Sequence, residues 1–479
     1  MMRRRILVGL FWACALASWS RAAEPAATLR AGAAASNITP ELGLEIVGGF
    51  APYPGTHVHD ELHARCLVLD DGRTKLALVV CDLLGFHRSL GVEARKLVEE
   101  ATGIPASNVM ISATHTHSAA SALGERGFRS EQQLDDYQRF VARRIADGVR
   151  RALNNARPAE VAFGTVDIPE HLNNRRWFLR EGKMPPNPFG KTDKVKMNPG
   201  AGSPDLVEPA GPIDPTLSFL AFREPGGRMI SVFSAYSLHY VGGVAGADVS
   251  ADYYGMYCEA LARRRGARDD GPPFVALMAN GTSGDINNIN FRKPRPGKPA
   301  YVQMRAVAED VAQKVDDAIG RASWKPSATL GALFREVEIP WRTVEPWVIE
   351  WAKETEARQA SAAKKDVVAL SYAGRVQRLA KAGGPARVPV QVLRIGDVAI
   401  GTSPCETFAE TGLEYRKRSP SPHSFMVELA HAYLGYLPTP RHFDLGGYET
   451  WPGTNYLEPQ ASVKIMDNLL EMTGQLMPK

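Results

Sequence analysis

Cysteine is scarce in this chain, five in 479 residues, and the five show neither CxxC spacing nor a zinc-ribbon pattern. So sparse a set excludes a disulfide framework, which needs dense and regularly spaced cysteines. An excess of one charge is also lacking: 57 lysines and arginines face 52 aspartates and glutamates. Charge this balanced leaves no footprint for nucleic acid as a partner. Beyond the N-terminus no apolar run is long enough to cross a bilayer. No internal repeat or heptad pattern stands out, so neither a solenoid nor a coiled coil is in view.

What remains is the composition of a globular protein, 44% hydrophobic and 23% charged. The length is ample for one large domain or two moderate ones. The first residues stand apart: Arg3, Arg4 and Arg5 precede an apolar run from Ile6 to Trp19, and Ser20 and Ala22 supply small residues at a cleavage site. This reads as a secretory leader over residues 1–23, cut near Ala22 or Ala23, because the run is short for a membrane span. Its removal takes four arginines and Cys14, lowering the net charge from +5 to +1 and leaving Cys66, Cys81, Cys258 and Cys405. The expected location is periplasmic or secreted. Residues 24–479 are expected to form a single catalytic domain.

The chain is organised around Ile111–Ser118, which reads Ile-Ser-Ala-Thr-His-Thr-His-Ser. If the apolar residues Asn108–Ser112 form a strand that continues through this segment, His115 and His117 project from one face. Before it come a first strand near Leu29–Pro40, a hairpin of 62–69 and 75–82, and a helix over Leu90–Glu100. After it, periodicity predicts an amphipathic helix over Glu131–Asn155 and a strand over 159–166. The segment from Asn173 to Asp214 is rich in proline and shows no regular pattern, yet it holds Trp177, Phe178 and Met184, which favours a functional loop over a disordered one. A second hairpin, 217–222 and 229–235, ends in His239. A buried strand at 274–278 runs into the polar loop Asn280–Asn290, and 301–321 is helical. Residues 343–381 predict a surface helical hairpin, and strands at 388–394 and 398–402 deliver Glu406. The last clear strand, 424–428, is followed by Tyr433 and Tyr436.

Several strands thus end in groups able to bind metal: His115, His117, His239, Glu406 and the two tyrosines. Two imidazoles and a carboxylate suit Zn²⁺ with an open position. Singly, each has a plainer reading: His239 as a satisfied core histidine, Glu406 as a helix N-terminal carboxylate, Tyr436 as packing. Their shared placement at strand ends favours the metal.

The motifs Ile111–Ser118, Val249–Gly255, Gly284–Ile286, Pro404–Glu406 and Ala432–Tyr436 resemble, in this order, the neutral/alkaline non-lysosomal ceramidases. The likeness runs from about Ala31 to Thr454. It implies an α/β ceramidase-like fold, a mixed sheet with flanking helices and long active-site loops. It further implies one catalytic Zn²⁺ per chain on His115, His239, Glu406 and Tyr436, with His117, Arg175 and Tyr448 near the scissile amide. The family's proposed serine nucleophile is absent, since Asn287 stands in its place, and Ser283 is out of register. No room follows Thr454 for the β-sandwich that ceramidases of this family append.

The expected activity is therefore zinc-dependent hydrolysis of an N-acyl amide, ceramide-like in substrate, with attack by a water that the metal acidifies. His117 is the candidate general base, Arg175 and Tyr448 are candidate oxyanion donors, and Asp285 is expected to orient its neighbours. The alternatives are a zinc hydrolase of a more polar ester or acyl amide, and a binding homologue without turnover. The expected partner is a small or lipid-like acyl compound, with no nucleic acid and no integral span after leader cleavage.

The leader yields a test. N-terminal sequencing of exported protein should find Ala23 or Glu24 first, and an intact Met1 in the mature form would refute the cleavage.

Overall fold

The computed structural model of the chain describes residues 28–125, 127–266 and 271–477. The leader assigned to residues 1–23 lies outside the described residues. Three larger sheets carry the α/β architecture. The first orders Val109–Ala113, Lys75–Cys81, His63–Asp70, Arg30–Asn37 and Arg157–Pro158 side by side. The second orders Glu160–Asp167, Thr216–Arg223, Met229–Tyr236 and Val275–Asn280. The third orders Leu330–Ile339, Ala386–Ile395, Val398–Thr402 and His423–Val427.

The strands that matter most are buried along nearly their whole length, which is why they read as continuous apolar runs rather than alternating ones. One face of each sheet meets helices. Arg88–Thr102 and Asp136–Asn154 cover the first, Asp252–Arg265 and Val302–Gly320 the second, and Ala461–Leu476 the third. The other faces share one core, in which Leu67 comes from the first sheet, Phe233 from the second, and Leu393 and Phe425 from the third. Burial of this kind is worth about 25 cal/mol per Å² of apolar surface, so the shared core locks the sheets to one another.

Each sheet is largely antiparallel but contains a parallel pair: Lys75–Cys81 with Val109–Ala113, Met229–Tyr236 with Val275–Asn280, and Val398–Thr402 with His423–Val427. Parallel neighbours bring their carboxyl ends to one edge, and the three edges meet. Backbone hydrogen bonds stitch them: Ala113 N to Leu429 O at 3.1 Å, Glu428 N to Asn280 O at 3.1 Å, and Gly284 N to Thr407 O at 2.8 Å. Loops leaving these ends are where α/β folds place their sites.

The sequence reading and the structure differ at three places. The helix expected from Glu131 starts at Asp136, because Asp135 caps it reciprocally with Gln138. The proline-rich segment is not irregular throughout. Arg176–Leu179 pairs with Val195–Met197 and Leu206–Pro209, and Asn173–Asn174 pairs with Ile286–Asn287. Proline is tolerated there because these are short edge pairings. Third, the strand ends at Ala113, so alternation does not reach His115. The helical hairpin is present as Pro346–Ala360 and Val367–Ala380. Cys66, Cys81, Cys258 and Cys405 are free and buried, and burial pushes the Cys66 thiol up to about 12.

The stitching makes Gly284 critical. A Cβ there would lie 2.5 Å from the Glu406 carbonyl oxygen, a backbone atom that cannot move alone. Gly284→Ala should destabilise the protein by roughly 1–3 kcal/mol, as overpacking does, read as a lowered denaturation midpoint. An unchanged midpoint would show that the junction is loose.

Candidate metal centre

Four side chains from the three sheet edges meet at one point. His115 follows Val109–Ala113, and His239 follows Met229–Tyr236. Glu406 opens the pair Glu406–Thr407, which runs parallel to Tyr436–Leu437 with Glu406 directly opposite Tyr436. His117 Nε2 lies 3.1 Å from His115 Nε2. Glu406 Oε2 lies 3.2 Å from His115 Nε2 and 3.8 Å from His239 Nε2. The nitrogens of His115, His117 and His239 fall within 4.8 Å of one another.

The two imidazoles converge for a reason the strand pattern did not contain. His115 adopts φ 73°, a left-handed conformation uncommon outside glycine. It is held there by its amide on Leu83 O at 2.9 Å. Leu429 and His431, at the stitched edge, are also left-handed, with φ 54° and 68°. Strain of this kind, about 1–3 kcal/mol per residue, clusters at functional sites.

Outer partners decide which ring nitrogen is free. His115 Nδ1 faces the Leu84 carbonyl oxygen at 2.7 Å, and His239 Nδ1 faces the Ser283 carbonyl oxygen at 3.2 Å. A carbonyl only accepts, so each Nδ1 carries the hydrogen and each Nε2 turns a lone pair inward. His117 is hydrogen-bonded to the Gly48 backbone, and a Cβ at Gly48 would sit 2.6 Å from its Nδ1. Burial holds the His117 and His239 imidazoles well below their ordinary range, with His115 and Arg175 adding to the effect.

His239 Nε2 and Glu406 Oε2 are buried and find no hydrogen-bond donor in the protein. Acceptors this close repel unless a positive charge lies among them. Tetrahedral zinc with bonds of about 2.0–2.1 Å places its ligands roughly 3.3 Å apart, close to the separations observed. The donor set therefore fits a metal ion: His115, His239 and Glu406, with His117 adjacent.

The second ring of contacts is as ordered as the first. Tyr433 donates its hydroxyl to Glu406 Oε1 at 2.7 Å. Tyr436 lies opposite Glu406, with the Arg175 guanidinium carbon 5.3 Å from its ring centroid, and burial pushes its phenol well up while Arg175 opposes the shift. Arg175 donates Nε to Glu449 Oε1 at 2.9 Å, and its Nη2 is buried without an acceptor. Tyr448 stands edge-on to Tyr436 with ring centroids 5.6 Å apart, its phenol raised by burial to about 12. Asp285 accepts from Asn174 Nδ2 at 2.7 Å and Ala409 N at 2.9 Å, and its carbonyl takes the Arg175 amide at 2.8 Å. It orients the loop that carries Arg175.

Asn287 pairs with Asn173 and donates to Asn198 Oδ1 at 3.1 Å. Ser283 is fully buried behind His239 and donates its hydroxyl to Glu428 Oε1 at 2.7 Å. Glu428 was not singled out from the sequence, although it ends an apolar strand as Glu406 nearly does. Its carboxylate also accepts from Thr407 N at 2.6 Å. Glu406, Tyr436 and Tyr448 line a cavity of about 1040 Å³ that also touches Leu84, Leu123 and Phe128. Neither Arg175 nor Asp285 lines it.

The chain is 24% identical over 301 residues to neutral ceramidase of Pseudomonas aeruginosa, a match covering 60% of this chain and 41% of that protein. The aligned part therefore spans about two fifths of the curated relative. A solved ceramidase complexed with C2 superposes with TM-score 0.68 at 17% identity, covering 94% of this chain and 75% of that one. The crystal structure of neutral ceramidase from P. aeruginosa gives TM-score 0.65 at 18% identity, covering 95% and 75%. No protein-family model matches the chain. The fold is that of the neutral ceramidases, as the five motifs led us to expect. Among the described residues no helix is long and apolar enough to cross a membrane.

Elemental analysis of the purified protein should find close to one divalent metal ion per chain. His115→Ala should weaken its retention by more than roughly 10–100-fold, the loss typical of disturbing an outer partner alone. Full occupancy in that variant would exclude this site.

Proposed function

From that kinship in fold we propose that the protein is an exported zinc-dependent amidohydrolase that cleaves an N-acyl amide, with ceramide as the first compound to try. Residues 24–479 would act as one catalytic domain. The observation that carries the reading is the set of unpaired acceptor atoms on His239 and Glu406, beside His115, with His115 and Glu406 at the wall of a large and partly apolar cavity. In this reading His115, His239, Glu406 and Tyr436 hold Zn²⁺, and His117 stays free for proton transfer. Bound there, zinc would polarise the amide carbonyl and acidify a water.

The chain's own residues supply the rest. His117 is kept neutral by burial, so its Nε2 can take a proton from the attacking water and pass it to the leaving amine. Arg175 carries a buried Nη2 with no acceptor, and Glu449 fixes its direction, so it is a donor for the developing oxyanion. The Tyr448 hydroxyl, on the cavity wall, is the second donor. Leu84, Leu123 and Phe128 offer apolar surface to an acyl chain. Ser283 has no part in attack, because its hydroxyl is engaged by Glu428 and no substrate can reach it.

His117→Ala should lower turnover of an N-acyl amide by a factor on the order of 10²–10⁴ while the metal stays bound. Ser283→Ala should keep most activity, and intact-mass analysis during turnover should show no acyl adduct. Loss of the metal from His117→Ala would make His117 a ligand. An adduct on Ser283, or equal losses in the two variants, would restore a serine mechanism.

A further inference from the structure

We infer that the amide substrate carries an anionic group and that Arg375, on the wall of the same cavity, binds it. The inference deepens the amidohydrolase reading and rests on it for the bond cleaved. Arg375 belongs to Val367–Ala380, the second helix of the surface hairpin, and lines the cavity with Glu406, Tyr433, Tyr436 and Tyr448. Its stem is clamped: a Cβ on Gly453, at φ 87°, would lie 2.5 Å from the Arg375 Cβ. The guanidinium carbon sits 5.8 Å from the Phe50 ring centroid and 5.4 Å from that of Tyr372.

The company around this cation is aromatic. Burial acts against its charge, and the phenols of Tyr456, Tyr448, Tyr372 and Tyr433 are its neighbours. No carboxylate pairs with it among the described residues. Several buried or half-buried arginines do have such a partner: Arg65 is paired with Asp82, Arg175 and Arg176 with Glu449, and Arg416 with Asp214. Aromatic faces compensate a half-buried guanidinium only in part, so a ligand anion would complete its pairing.

The charge inside the cavity points the same way. Arg378 lines the cavity one turn from Arg375. The buried lining carboxylate, Glu406, is committed to the metal cluster. Glu41, Glu45, Glu125, Asp135 and Asp136 also touch the cavity, but they are exposed and water screens them. On the hairpin side of the cavity Arg375 and Arg378 stand one turn apart, and positive charge at that spot favours an anion there. A ceramide has no anion to offer it, whereas an N-acyl amino acid or an N-acyl phosphoethanolamine does.

The test compares three substrates with one acyl chain: N-octanoylglycine, N-octanoyl phosphoethanolamine and neutral N-octanoylethanolamine. The metal-loaded wild type should prefer one or both anionic compounds in kcat/KM. In Arg375→Met the anionic-to-neutral ratio should fall by roughly 10–100-fold, the worth of a charge-assisted hydrogen bond, mostly through KM. Arg375→Lys should recover part of it. The anionic compound that loses more identifies carboxylate or phosphate as the natural group. No preference in the wild type, or a ratio unchanged in Arg375→Met, would overturn the inference. If none of the three is cleaved, the amide reading fails, and calorimetry then decides the anion separately. N-octanoylglycine binding that weakens at least tenfold in Arg375→Met upholds the inference, and equal or absent binding overturns it.

Discussion

Three imidazole nitrogens and a carboxylate oxygen meet with no protein donor between them, and the rest of the molecule is arranged to make that meeting permanent. Left alone, such a cluster repels itself, and burial removes the water that would relieve it. It is tolerable only when a cation is shared among the acceptors. The tautomers are not left to chance. Leu84 O, Ser283 O and the Gly48 backbone each engage an imidazole from outside, and carbonyls at Nδ1 leave Nε2 pointing inward. The cluster is a property of the backbone as much as of the histidines, because carbonyl positions choose which nitrogen is available.

Holding four groups against repulsion needs a rigid frame, and the three parallel strand pairs supply it. Their carboxyl ends are tied by backbone hydrogen bonds that run from one sheet to another. Glu428 adds a side-chain tie. It accepts from Ser283, which touches His239, and from Thr407, which follows Glu406. One buried carboxylate thereby fixes a distance between two proposed ligands that belong to different sheets. Burial raises its own affinity for a proton well above the carboxylate norm, a cost accepted where relative position matters more than local stability. The left-handed residues His115, Leu429 and His431 lie along the same seam, so the strain is concentrated where the frame is strongest.

Much of this was legible in the sequence, for a physical reason. A buried strand announces itself as an apolar run, and a polar residue just beyond it lies at a sheet edge whatever the sheet order. His115, His239 and Glu406 were found that way. How they face one another was not legible. The turn at His115 uses a left-handed histidine, and only glycine or asparagine would have signalled it. Arg175 and Tyr448 were reached only through motif likeness, since nothing local marks an arginine in a proline-rich segment as a donor. Glu428 was read as the end of a strand and no more, although the rule that picked Glu406 applied to it. Arg375 had no signal at all. In sequence it is one charge among many in a helical pattern, and its meaning comes from Phe50 and Tyr372 closing around it.

That contrast separates the cavity into two kinds of wall. Its inner end is built by sheet edges, where each side chain is held by backbone from two directions and small changes propagate into the frame. Its other walls come from the loop 41–50, the segment near Phe128 and the helical hairpin, which join the sheets through side-chain contacts more than through ladders. A substitution at Gly284 must move the backbone of Glu406, but one at Arg375 removes a charge and leaves every strand pairing in place. In the proposed reading, bond-breaking chemistry belongs to the first kind of wall and choice of substrate to the second. A fold close to that of neutral ceramidases therefore constrains the cluster of histidines and Glu406 far more tightly than it constrains the compound that would bind beside it.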